Sequence, residues 1–219
     1  MTLQQSKIHT ATAQAHPNIA FIKYWGNQDN RLRLPANPSL SMNLGELRTV
    51  TTVTFSAKLR GDALSVNEQP VVGAGLERVT EVLDLIRQQA GLDWSARVES
   101  SNNFPAGAGI ASSASAFAAL SLAGAAAAGL NLDEASLSRL ARRGSGSASR
   151  SVPGGFCQWT TGSDASSVAV SIAPPEHWDL QDVIVVVSQE HKAVGSTGGH
   201  HLAPTSSLQA ARWPGSKPG

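Results

Sequence analysis

The sequence predicts an α+β fold, on three observations. β-type runs dominate the first third, an amphipathic helix and an Ala-rich helix follow, and short β runs resume after them. With 219 residues the chain is long enough for one sizeable domain, or one domain plus part of another, with an ample core. Hydrophobic residues make up 41% and charged ones 15%, a globular composition with a sparsely charged surface. The formal net charge of +1 gives no electrostatic footprint for nucleic acid or an anionic membrane. One cysteine, Cys157, can make no internal disulfide and has no clustered partners for a metal site. The chain opens without a basic-plus-apolar leader, and the Ala-rich run from Ala114 to Leu130 is broken by Ser121 and Gly124 and short for a membrane span. A soluble cytoplasmic protein is the expectation.

In order, Thr10 to Lys23 reads as strands interrupted at Pro17, and Ser39 to Leu44 and Thr49 to Phe55 as short strands. The Thr/Val alternation of the last suits a half-solvated antiparallel strand. Gly61-Asp62 is a turn and Ala63 to Val66 the next strand. Apolar residues at 76, 79, 82, 83 and 86 trace one face of a helix that Gly91 ends. Ala96 to Glu99 is a strand leading into a small-residue loop, after which the Ala-rich helix should be the central, buried one. Asp133-Glu134 opens a further helix, which Arg142-Arg143-Gly144 closes with cations and a C′ glycine. Phe156 to Thr161, Ser167 to Ile172 and Val183 to Val187 read as strands, with Pro174-Pro175 as a breaker. The tail from Gly195 is rich in Gly, Pro and Ser and reads as disordered.

The chemistry gathers in four stretches. Asn102 to Ser115 joins a small-residue loop to a helix start. Gly107 and Gly109 let main-chain N–H groups approach a ligand, and Ser112, Ser113 and Ser115 fall where free N–H groups and the helix dipole favour an anion. A Walker A loop is excluded because no Lys occurs between Lys58 and Lys192. A dinucleotide fingerprint is excluded because Asn102-Asn103-Phe104-Pro105 is no buried strand. A second Gly/Ser loop, Gly144 to Gly155, is another anion candidate, with hydroxyls beside Arg150, whose guanidinium supplies a bidentate fork. Asn18 to Asn27 puts Lys23 and Tyr24 at the end of an apolar strand. Ser188 to Gly199 offers Ser196 and Thr197 as oxyanion donors.

In order and spacing these four stretches resemble those of mevalonate diphosphate decarboxylases, within the superfamily of galactokinase, homoserine kinase, mevalonate kinase and phosphomevalonate kinase. The resemblance implies a ribosomal protein S5 domain 2-like N-terminal domain over 1–178. It further implies the start of an incomplete ferredoxin-like domain over 179–219. It implies ATP and Mg²⁺, with Pro105, Ala106, Gly107, Ala108, Gly109, Ile110, Ala111, Ser112 and Ser113 around the ATP phosphates and Ser113 near the metal. It implies substrate contacts from Tyr24, Trp25, Gly26, Asn27, Arg78, Ser145, Gly146, Ser147, Ala148, Ser149, Arg150, Ser196 and Thr197, with Lys23 beside them. The implied reaction is phosphorylation of the 3-hydroxyl of mevalonate 5-diphosphate, then loss of phosphate and CO₂, in isoprenoid biosynthesis. A homodimer is an open expectation.

Two departures stand out. The family usually has Lys where this chain has Asn27, which points toward mevalonate 5-phosphate as the alternative substrate. The family's later Asp-Ala-Gly-Pro-Asn-like motif is absent, so the expected catalytic Asp falls beyond the chain end, and a truncated, impaired enzyme is expected. Asp29, Asp164 and Asp182 stand in other contexts, and none is assigned as a base. The other readings are a small-molecule kinase that does not decarboxylate and an S5-like RNA-binding module, the latter opposed by the even charge.

Overall fold

The computed structural model describes residues 8–105, 112–185 and 196–209. In chain order the elements begin with β1 (Ile8–Ala15), β2 (Asn18–Ile22), β3 (Asn27–Asp29), β4 (Leu34–Pro35), β5 (Ser39–Asn43) and β6 (Thr49–Ser56). Then come β7 (Ala63–Val66), β8 (Gln69–Val71), α1 (Ala74–Ala90), β9 (Ser95–Asn102), α2 (Ser112–Ala127) and α3 (Glu134–Gly144). A 3-10 turn (Gly146–Ser151), β10 (Phe156–Trp159), β11 (Ala169–Ala173), a 3-10 turn (Pro175–His177), α4 (Ser196–Leu202) and a last 3-10 turn (Ala203–Thr205) follow.

One sheet has the order β1-β6-β9-β7-β8, the other β11-β10-β5-β2, and β3 and β4 form a separate hairpin. Pairing is antiparallel except for β7 against β9. The alternation in β6 performs as expected. Thr49, Thr51, Val53 and Phe55 turn inward, while Thr52 and Thr54 bond across to Thr12 and Thr10 at 2.8 and 3.0 Å on the outer face. Pro17 separates β1 from β2, which lets the chain leave one sheet and enter the other.

On α1 the predicted stripe is the buried one, Val79, Val82, Leu83 and Ile86, and Gly91 caps the helix in the left-handed region. Helix α2 is buried on nearly every side, as its small residues require, and a Cβ on Gly124 would come 2.6 Å from Ile86 Cδ1. Asp133 caps α3 by accepting the Ser136 N–H at 2.8 Å. Arg142, fully buried on α3, pairs with Asp164 and donates to the carbonyls of Leu32, Asp164 and Ser167, so it ties the hairpin and the loop after β10 to one helix end. No helix among the described residues is long and apolar enough to cross a membrane.

Four expectations change. Gly144 is not a C′ residue: it is still helical, and the cap is Ser145. Glycine is needed there because a Cβ would overlap the Phe117 ring. The second Gly/Ser stretch is a 3-10 turn rather than a loop. Residues 183–185 of the expected Val183–Val187 strand lack regular structure, and 186–187 lie outside the described residues. Within the tail expected to be disordered, 196–205 instead form α4 and a 3-10 turn against the β2–β3 connection.

Candidate active site

Arg150 sits on the inner face of the second sheet, 3% exposed. Its Nε donates to Ser41 Oγ at 3.0 Å, Nη1 to Ser39 Oγ at 2.6 Å and Nη2 to Asn18 Oδ1 at 3.1 Å, with the Trp159 ring 5.8 Å away. Asn18 is itself fixed by donating to Ser147 O and Ser151 Oγ at 3.1 and 2.7 Å. Among the described residues no carboxylate pairs with this guanidinium. Burial pushes its pKa down to about 10, only partly opposed by Cys157 and Tyr24. A buried cation with neutral partners and spare N–H groups is prepared for an anion that arrives from outside.

A row of three hydroxyls ends at the start of α2, and its far member, Ser147, gives its carbonyl to Asn18, the partner of Arg150. Ser147 Oγ lies 3.4 Å from Ser145 Oγ, which lies 3.3 Å from Ser113 Oγ in the first turn of α2. Ser145 is held between two rings by its neighbours: a Cβ on Gly144 would strike Phe117, and one on Gly146 would come within 2.7 Å of the Tyr24 ring. The strand before the small-residue loop is pinned, since Asn103 accepts from Arg48 N and donates to Glu46 O, at 2.8 Å each. The Thr49 hydroxyl bonds both Asn102 Oδ1 and Ser115 Oγ at 2.6 Å, so Ser115 turns into the core instead of toward an anion.

Tyr24 is buried against Trp159 and His200, with ring centroids 4.7 and 4.1 Å away, and its hydroxyl donates to Asn27 Oδ1. Burial raises its pKa to about 12. His200 accepts the Gly26 N–H at Nδ1, 3.0 Å, and so carries its proton on Nε2 when neutral. Burial first, and then the charges of Arg33, His201 and Arg150, bring its pKa from 6.5 down to about 4. Because the folded pKa is the lower one, the unfolded chain binds the extra proton between these values. Stability is therefore full above pH 6.5 and lost as pH falls toward 4. We expect a loss of about 1–2 kcal/mol across that window, after discounting for partial exposure. Denaturant midpoints across it should fall in the parent and stay flat in His200→Gln.

Beside the hydroxyls, Arg78 Nη2 donates to Gly144 O at 2.9 Å, its guanidinium lies 4.9 Å from the Phe117 ring centroid, and its buried Nε has no partner. Burial lowers its pKa. Phe117 and Arg78, with Leu64, Val66, Val98 and Ala116, line a mostly apolar cavity of about 170 Å³. The Thr51 and Ser100 hydroxyls, 2.9 Å apart, supply its polar edge.

The structure thus brings together Tyr24, Gly26, Asn27, Arg78, Ser113, Ser145, Gly146, Ser147 and Arg150. Ser112 is half-buried at the first position of α2, and Pro105 is exposed. Ala148 is in the core and Ser149 Oγ is spent on Gly146 O at 2.8 Å, so neither side chain faces a ligand. Lys23 is exposed, with its carbonyl accepting from Asn37 Nδ2 at 2.9 Å. The Trp25 ring packs on Gly199, and its carbonyl accepts from Gln209. Ser196 and Thr197 open α4. Ala106, Gly107, Ala108, Gly109, Ile110 and Ala111 lie outside the described residues. Sequence reasoning passed over Asn18, Ser39, Ser41 and His200. Asn18 and the alternating Ser39 and Ser41 carried a signal, since polar residues on an inward strand face need a polar partner.

Comparison with known proteins follows the same stretches. The family described as the diphosphomevalonate decarboxylase-like N-terminal domain matches residues 15–170. A diphosphomevalonate decarboxylase of Ganoderma lucidum is 42% identical over 210 residues, covering 88% of this chain and 52% of its own length. The crystal structure of mevalonate diphosphate decarboxylase from Staphylococcus aureus superposes with a TM-score of 0.83 at 42% identity, over 94% of this chain and 63% of that one. A structure described as MDDEF in complex with MVAPP, AMPPCP and magnesium is 49% identical with a TM-score of 0.73, over 76% and 51% of the two chains. The chain spans about half the length of the sequence relatives it matches.

Proposed function

The chain belongs to the diphosphomevalonate decarboxylase-like family, and from that premise we propose that it binds ATP and mevalonate 5-diphosphate for phosphorylation and decarboxylation. One observation carries the reading: a buried guanidinium that no carboxylate among the described residues pairs with, linked through Asn18 to the Ser147 backbone, where a row of three hydroxyls begins that ends at the start of α2. Arg150 would hold the substrate carboxylate, Tyr24, Asn27, Arg78 and Ser145 its phosphoryl groups, and Ser112 and Ser113 the nucleotide phosphates. The apolar cavity beside Phe117 is of a size and polarity to take the nucleotide base, with the Ser100 and Thr51 hydroxyls at its edge. As for architecture, we read the unit before about Asp179 as S5 domain 2-like and the rest as the opening of a ferredoxin-like one.

The groups suit the two stages. Held in this arrangement, the substrate 3-hydroxyl forms a bond to the γ-phosphorus as the bond to the β-bridging oxygen breaks, ADP leaving with that electron pair and the hydroxyl proton passing to water, which is mainly a matter of position and charge. In the second stage the C1–C2 bond breaks, its electron pair becomes the C2–C3 double bond, and phosphate leaves C3 with the C–O pair. Arg150 keeps the carboxylate ionised and oriented until CO₂ departs. Asp29 accepts the Leu32 N–H at 2.7 Å and Asp164 pairs with Arg142, so no proton transfer is assigned to either. Among the described residues no cluster of three His, Cys, Asp or Glu could hold a metal. The Ser113 hydroxyl at the start of α2 would hold magnesium together with the nucleotide, and the ion would supply neutralisation of phosphate charge there.

Ser113→Ala is expected to weaken MgATP binding ten- to a hundredfold, since a hydrogen bond to a charged group is worth roughly 1.5–3 kcal/mol. Titration calorimetry reads this directly, and unchanged affinity removes α2 from the nucleotide site. Measuring CO₂ alongside ADP then separates decarboxylation from a kinase that stops at the phosphorylated ester.

A further inference from the structure

We infer that Arg33 is a phosphate-binding, specificity-determining residue, the cation that selects a diphosphate where Asn27 supplies none; this rests on the site being one for a phosphorylated mevalonate. Arg33 stands at the turn of the β3–β4 hairpin, six residues after Asn27, whose own side chain accepts from Tyr24 and donates to Asn30 Oδ1 at 2.9 Å. Its Nε donates to Arg143 O at 2.9 Å, while Arg78 donates to Gly144 O, the next carbonyl along α3. Two guanidiniums are thus anchored on successive C-terminal carbonyls of α3, those of Arg143 and Gly144, just before Ser145. Helix-end carbonyls favour cations, but they do not neutralise two full charges. Among the described residues no carboxylate forms an ion pair with either.

Burial is the main cause of the lowered pKa of Arg78 and of His200, and the charge of Arg33 adds to it at both, against Glu81 at Arg78; the same charge opposes the rise that burial imposes on Tyr24, so Arg33 stands near all three. The backbone adds an independent sign. Arg33 has φ +53, a left-handed conformation that a turn normally assigns to Gly or Asn. A large cation in that position is strained as well as unpaired, an arrangement that persists where a ligand makes use of it. A diphosphate carries more charge than a phosphate, so removing one partly desolvated cation weakens it more.

The test uses the 219-residue chain, Arg33→Asn, which keeps the turn preference, Arg33→Lys, and the double variant Asn27→Lys/Arg33→Asn. Calorimetric affinities for mevalonate 5-diphosphate and 5-phosphate are compared with those for inorganic pyrophosphate and phosphate, MgADP filling the nucleotide site. Arg33→Asn should weaken both diphosphates about tenfold or more and both monophosphates by about threefold or less. Arg33→Lys should restore part of the loss, the double variant most of it, MgATP affinity should not move, and the thermal midpoint of Arg33→Asn should hold or rise as the strain at φ +53 is relieved. A diphosphate-to-monophosphate ratio unchanged by Arg33→Asn in both ligand pairs overturns the inference and leaves the proposed function standing. A parent chain that binds no mevalonate ester, yet shows the ratio change with pyrophosphate, overturns the proposed function and supports the role of Arg33.

Discussion

Arg150→Met should give a folded protein with affinity for mevalonate 5-diphosphate lowered about a hundred- to a thousandfold, while MgATP still binds. The two halves of this expectation come from opposite sides of one arrangement. Holding the guanidinium at 3% exposure among Ser39, Ser41 and Asn18 lowers its pKa to about 10. That is a penalty on the charged form of roughly 3 kcal/mol, offset by three hydrogen bonds of about 1 kcal/mol each. Methionine fills similar space without the charge but leaves Ser39, Ser41 and Asn18 Oδ1 without their donor, so a net destabilisation of about 1–3 kcal/mol is expected. Substrate binding has no such offset. Without the guanidinium the ligand carboxylate is buried unpaired, and truncating one side of a buried charge pair costs about 2–5 kcal/mol, hence the factor in affinity. Calorimetry for the ligands and a denaturation curve for the fold separate the effects. A variant that fails to fold would make Arg150 a structural strut, and unchanged substrate affinity would remove it from the site.

Much of this arrangement was readable because a single physical requirement sets each feature. The inward stripe of α1 follows from its apolar spacing, and the two-face alternation of β6 from its Thr/Val pattern. The Ala-rich composition of α2 placed it at the centre for a similarly local reason. What composition hid was which neighbour makes a residue small. Gly144 read as a helix stop and Gly146 as part of an anion-binding stretch, whereas each is small because an aromatic ring from a distant element lies on it. The hairpin at Asn27–Pro35 and helix α4 carry little apolar periodicity, so they left no mark, and with them went Arg33 and His200. The family resemblance supplied Arg78, whose own surroundings in sequence show nothing but an amphipathic helix. It could not supply Asn18, Ser39 or Ser41, which reach the site only by holding Arg150.

Gly146→Ala should destabilise the fold by about 2–3 kcal/mol, the usual range for adding bulk to a packed site, and should release Tyr24. The backbone of Gly146 has no positive φ, so alanine meets no conformational penalty there and any loss reports packing. The added Cβ would stand 2.7 Å from Cε1 and Oη of Tyr24. That ring cannot retreat, since Trp159 and His200 close on it and its hydroxyl is committed to Asn27. The readout is specific because Tyr24 is the one tyrosine in the chain. In the parent, burial holds its pKa near 12 against the ordinary 10.0. Between those values the folded chain keeps a proton that the unfolded chain has lost, so stability is full below pH 10 and declines as pH rises toward 12. In Gly146→Ala the tyrosinate absorbance after a rapid pH jump should appear nearer 10, and the alkaline decline should flatten. Gly154→Ala, where a Cβ meets nothing within 4 Å, should leave stability within about 0.5 kcal/mol and the titration unchanged. If Gly146→Ala is equally silent, Tyr24 does not pack on that backbone. The position of Ser145 between two rings would then need another explanation.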